Sequence, residues 1–151
     1  MAAGLEGLTV QEWIVSTLSE SAALATLAGG ADELLDRIWE GEYKGSAAKD
    51  ELGFWWISFT VLDPQDIKVV SMFQVMSRVQ FQMKVVCRGD DYTPAAAPYQ
   101  IAHMLLESQL NQPTSDGIVL TSQRLSGFQF LERTTGMEYA HLGGTYETLT
   151  Q

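Results

Sequence analysis

The chain has 151 residues, 46% of them hydrophobic, with nineteen acidic against nine basic side chains and a formal net charge of −10. That length and apolar content suit one domain with its own core and count against a disordered chain. Sparse, scattered Lys and Arg count against the basic patch on which direct binding to DNA or an anionic membrane rests.

No run approaches the ~20 apolar residues that span a bilayer. The opening MAAGLEGLTVQEW carries Glu6 and Glu12 and lacks the basic start of a signal peptide, so a soluble intracellular protein is expected. Thr9-Val10-Gln11-Glu12 matches a capping box. Val10, Trp13, Ile14, Thr17, Leu18, Ser21, Ala25 and Ala28 follow at helical spacing, and Gly29-Gly30 supplies a stop. The spacing predicts a helix from about Val10 to Ala28. Asp32 to Leu35 adds a possible helical turn and Arg37-Ile38-Trp39 a short strand. Glu40 to Gly53 (EGEYKGSAAKDELG) reads as a polar loop.

Phe54 to Leu62 (FWWISFTVL) is aromatic and β-branched, hence a strand. Phe54 and Trp56 fall on one face; Trp55, Ile57, Phe59 and Val61 fall on the other. Such a strand needs cover on both sides, from helices, a loop or a second subunit. Asp63-Pro64-Gln65-Asp66 breaks it, and Ile67 to Met76 reads as a loop approaching the next strand. Arg78 to Arg88 (RVQFQMKVVCR) alternates cleanly. Val79, Phe81, Met83, Val85 and Cys87 face one way, and polar residues face the other except for Val86. The single cysteine, Cys87, has no partner for an internal disulfide and reads as a small buried hydrophobe.

Gly89 to Tyr92 reads as a turn. Thr93-Pro94 places a capping hydroxyl before a Pro, and a second amphipathic helix starts near Pro94 or Pro98, with a stripe through Ile101, Ala102, Leu105, Leu106, Gln109 and Leu110, ending by Asn111. After a loop at Gln112 to Gly117, Ile118 to Leu131 and Met137 to Leu149 read as two strands. They pair antiparallel across Glu132 to Gly136. The expectation is a single α+β domain spanning 1–151, an antiparallel or mixed β-sheet with two main helices packed on one face.

Chemical motifs are thin. His103 and His141 match no metal spacing and read as surface or boundary residues, with Glu107 one helical turn from His103. Ser46-Ala47-Ala48-Lys49 fits the S-x-x-K pattern of serine acyl enzymes, but neither SDN nor KTG accompanies it. The carboxylates of Asp63 to Asp66 and of Asp90-Asp91 sit where turns form, without EF-hand spacing. No phosphate loop follows Gly29-Gly30 or Gly143-Gly144. No cofactor, metal or catalytic set is expected.

The order of elements resembles the phage tail terminator, or tail-completion, proteins. The resemblance rests on the N-terminal helix, Arg37-Ile38-Trp39 opening the sheet, the polar loop, aromatic Phe54 to Leu62, alternating Arg78 to Arg88, the helix Tyr99 to Leu110, and Tyr139 to Glu147 (YAHLGGTYE) in the last strand. Gly53 stands where members often have Pro. The resemblance implies a non-enzymatic protein of the virion tail, assembled in the host cytoplasm. It implies a homo-hexameric ring that caps the tail tube protein, ends tube growth and offers a surface to the head connector protein. The acidic balance would suit a channel that DNA passes without adhering. Trp39, Trp55 and Trp56 are the candidates for the subunit interface. The candidate docking loops carry Glu40, Glu42, Tyr43, Lys44, Lys49, Asp50 and Glu51, and Asp90, Asp91 and Tyr92. A head–tail connector remains an alternative, and a small-molecule-binding enzyme domain is the rival of a different class.

Overall fold

The computed structural model describes residues 5–45, 51–62, 65–68, 75–115 and 117–151. In chain order they form α1 (Leu5–Ser19), α2 (Ala22–Ala28), α3 (Ala31–Leu35), β1 (Ile38–Glu40), β2 (Trp55–Val61), β3 (Gln65–Lys68), β4 (Val75–Arg88), α4 (Thr93–Leu106), β5 (Gln109–Pro113), β6 (Ile118–Thr134) and β7 (Met137–Thr150). The strands make one mixed sheet in the order β1-β2-β4-β7-β6-β5, with β3 also paired to β4. Among the described strands only β1 on β2 is parallel; the other pairings are antiparallel. This is the expected α+β fold.

Alternation in β4 sets the two faces. Val79, Phe81, Met83, Val85 and Cys87 are all fully buried, packed with Val10, Trp13, Ile14 and Leu18 of α1 and with Ala95, Ala102 and Leu106 of α4. The first face therefore holds the main core beneath the helices. Trp55, Ile57 and Phe59 join it from β2, and Tyr146 stacks on Phe81 at 4.9 Å. The second face is polar along much of β4, and Val86 proves to belong to a small second core there with Trp56 and Tyr43.

Several local expectations are corrected. The first helix starts at Leu5, so the Thr9 to Glu12 box lies inside it. The single helix to Ala28 is in fact two, because Ser21 is extended and its hydroxyl accepts the Leu24 N–H at 3.2 Å. A serine that bonds nearby backbone competes with the helix and starts a new one. Thr93 is already helical and Tyr92 is the N-cap, without a side-chain cap bond; just ahead of it Asp91 Oδ1 accepts from the Thr93 N–H (2.9 Å) and hydroxyl (2.7 Å). That helix stops at Leu106, and Ser108 takes a left-handed φ of 55°; Gln109 and Leu110 begin an edge strand, leaving Leu110 64% exposed. The stretch from Ile67 also contains more strand than expected, since Gln65–Lys68 pairs with Val75 to Arg78.

The final hairpin agrees with the reading. Thr134 pairs with Met137 across a two-residue turn at Thr135-Gly136, where Gly136 has φ 77°. Within β7, Gly143 is required by close approach. A Cβ there would lie 2.6 Å from both the Lys84 Cβ and the Met83 carbonyl, and 2.7 Å from the Phe128 ring.

Candidate assembly surfaces

The loop after β1 runs back across the second face. Its anchor is Tyr43, 6% exposed, whose ring lies 5.2 Å from Trp56 and 5.9 Å from Phe54. The Tyr43 hydroxyl donates to Asp36 Oδ2 at 3.1 Å. Burial of an aromatic body with its hydroxyl partnered ties this part of the loop to the sheet. Of the cover proposed for Trp56, the chain's own loop supplies it.

The sequence candidates separate accordingly. Trp55 lies in the main core and Trp56 in the second, at 7% and 8% exposure, so the chain itself covers both. Trp39 is half-buried at the β1 edge, its indole N–H donating to the Asp36 carbonyl at 2.6 Å. Glu40, Glu42, Lys44 and Glu51 are exposed, and Glu40 accepts from the Gln11 side chain. Lys49 and Asp50, with the Ser46 to Lys49 motif and Asp63-Pro64, lie outside the described residues. Asp90 and Asp91 are exposed in the turn, and Tyr92 packs against the main core.

The end of the loop and the turn meet. The Gly53 N–H donates to the Arg88 carbonyl at 3.0 Å, and the Gly89 N–H donates to the Glu138 carbonyl at 2.8 Å. Leu52, 84% exposed, stands beside Gly89. Glu40, in contrast, pairs with Phe59, further along β2. The two acidic groups therefore occupy different levels of the sheet. Next to the turn, Arg88, Arg133, Gly136 and Glu138 line an open cleft of about 440 Å³ at the hairpin tip.

The sequence reading passed over the far edge of the sheet. β5 pairs with β6 only as far as Ser122. Beyond it the Arg124 N–H donates to Glu107 Oε2 at 2.6 Å, and on this side, away from β7, no described strand borders β6 through Thr134. This edge carries Leu125, Phe130 and Leu131 at 49%, 45% and 36% exposure. The signal was present as apolar residues on both faces of Leu125 to Leu131, where a strand with one wet face would alternate.

His103 is half-buried, a boundary residue as expected, whereas His141 is buried. His141 is 5% exposed on the second face, stacked on Phe130 at 4.3 Å, with Nε2 2.8 Å from Glu132 Oε2. Its buried Nδ1 has no hydrogen-bond partner. Burial pushes its pKa down, the Glu132 hydrogen bond works against that, and nearby Lys84 adds to the depression. His103 Nδ1 lies 2.8 Å from the Tyr146 hydroxyl and is also depressed, first by burial and then by Arg124. Burial raises the Tyr146 phenol well above its usual range, so it stays protonated. Tyr99 receives a hydrogen bond from Arg124 at 3.0 Å and stacks on His103, so this group clamps α4 to the sheet. Among the described residues no three His, Cys, Asp or Glu gather as metal ligands. Among the described residues no helix is long and apolar enough to cross a membrane.

No family model matches the sequence, and no curated protein matches it. The fold is similar to that of a chain in the structure described as the virion of a native gene transfer agent particle. The TM-score is 0.67 at 12% identity, over 97% of this chain and 98% of that one.

Proposed function

We propose that this chain is a structural component of a phage-like particle and acts as its tail terminator. Copies form a ring on the finished tail tube, block addition of further tube protein and present the opposite side to the head connector. The observation that carries the reading is the fold likeness to a chain of a virion particle over nearly the full length of both chains. The order of elements that resembles tail terminators supports the finer assignment. A ring contact joins two different patches of neighbouring copies, and the bare β6 edge is a surface suited to it. The hexameric count comes from the family resemblance alone. The exposed acids Glu40, Glu42, Glu51, Asp90 and Asp91 suit the DNA-facing or partner-facing loops, with net charge −10 opposing adhesion to DNA.

The deciding experiment is electron microscopy of particles made without this gene product. Overlong, headless tails are expected. Tails of normal length beside unjoined heads would assign the chain to the head–tail connector instead, and normal joined particles would refute both assembly roles.

A further inference from the structure

The two edges of the sheet are complementary in direction, and both carry apolar surface. β1 runs parallel to β2, and each of the steps β2-β4, β4-β7 and β7-β6 reverses direction. Strand β6 therefore runs antiparallel to β1 across the sheet. If a second copy is related by simple rotation about a ring axis, its β1 arrives beside β6 in the antiparallel sense, the more stable pairing.

Charge distinguishes the two edges. Residues 31–42, around β1, hold Asp32, Glu33, Asp36, Glu40 and Glu42 against Arg37 alone. The β6 edge from 123 to 134 holds Arg124 and Arg133 against Glu132, and Glu132 is turned to the second face toward His141. The β1 edge is acidic, and the β6 edge carries both signs, with Arg133 Nε 3.2 Å from Glu138 Oε1 and Glu107 Oε2 accepting from the Arg124 N–H. Each also carries apolar surface: Leu35 at 55% exposure and half-buried Trp39 near β1, and Leu125, Phe130 and Leu131 on β6. Residues 125–134 contain no Pro or Lys, two of the usual guards of an unpaired edge; the guards of this edge are the bulge beside Leu125 and the charges of Glu132 and Arg133. Pairing β6 with its own copy about Gln129 would instead set Arg124 opposite Arg133, which share one face of the strand.

We infer that a second copy of this chain occupies the β6 edge through its β1 edge, so that successive sheets join head to tail. This rests on the ring reading above and names the two surfaces that make the ring. It assigns Trp39 to the contact while Trp55 and Trp56 remain internal.

The test uses assembled particles containing full-length protein with Glu40→Cys combined in turn with Ser126→Cys, Gln129→Cys or Arg133→Cys. Cys87 is fully buried and gives little background. After mild oxidation, at least one pair should give a ladder of disulfide-linked multimers that no single variant gives. Particles with a normal amount of the protein but no ladder from any pair would overturn the inference and leave the terminator reading standing. Dimers from a single β6 variant would overturn it in favour of a two-fold contact. Absence of the unmodified chain from particles would remove the ring reading itself. As a second measurement, Arg133→Glu should reduce incorporation into particles and Glu40→Arg should restore it; failure of restoration counts against the pairing.

Discussion

Gly143 shows how one missing methyl group fixes a neighbourhood. Lys84 and Phe128 close over its backbone from β4 and β6, an arrangement in which a neighbouring aromatic shields a strand glycine. Two of the three clashing groups for an added Cβ are main-chain or near main-chain atoms, so the site has little room to adjust. Gly143→Ala should therefore lower stability by about 1–3 kcal/mol, read as a lower urea midpoint. His141 makes a different residue-scale prediction. Its folded-state pKa is depressed, so at mildly acid pH the unfolded chain binds more protons than the folded one. Its contribution is complete above the unfolded pKa near 6.5 and is lost as pH falls through the window below it. His103 shifts in the same direction. Urea midpoints should thus fall between pH 7 and pH 5, and His141→Gln should flatten part of that slope while leaving the part due to His103.

Among elements, the division of the N-terminal helix and the anchoring of the loop after β1 carry the clearest consequences. Ser21→Ala removes the hydroxyl that caps α2 and should cost about 1 kcal/mol, with little loss of helical circular dichroism. Tyr43→Ala uncovers Trp56 and opens a space between ring systems. A cost of about 3 kcal/mol and a red-shifted tryptophan emission are expected. The alternation in β4, the two faces of β2 and the β6–β7 hairpin were legible because period-two patterns report directly which face is dry. The helix break at Ser21 was not, since Ser fits the helical spacing and its capping role depends on backbone geometry. Tyr43 was hidden in the same way. Its polar neighbours made the segment read as loop, and only the tertiary path brings its ring onto Trp56. The free edge of β6 depends on where β5 stops, which local sequence does not encode.

For the whole molecule, the sheet divides the candidate surfaces into an acidic edge at β1, a bare edge at β6, and an end where Leu52, the turn after β4 and the hairpin tip meet. Deleting Ser46 to Asp50 tests whether the loop takes part in assembly. If it docks, head joining should fail in a complementation assay while the purified protein keeps its fold; unchanged joining would remove the loop from the mechanism. The acidic loops and turn were readable as charge in the sequence. Their separation along β2 was not, because strand register decides it.

One consequence of the strand order concerns time. β7 is synthesised after the other described strands, yet it lies between β4 and β6 and pairs with both along nearly its whole length. Until it leaves the ribosome, β1 to β4 and the β5–β6 pair remain separate fragments, each showing an unsatisfied inner margin. Native closure must therefore wait for translation of the final strand and then join segments distant in sequence, which favours folding in milliseconds to seconds. In that interval the nascent chain is most exposed to wrong pairing with another copy. Slowing translation before Met137 should accordingly lower soluble yield, whereas a pause after β7 has emerged should not.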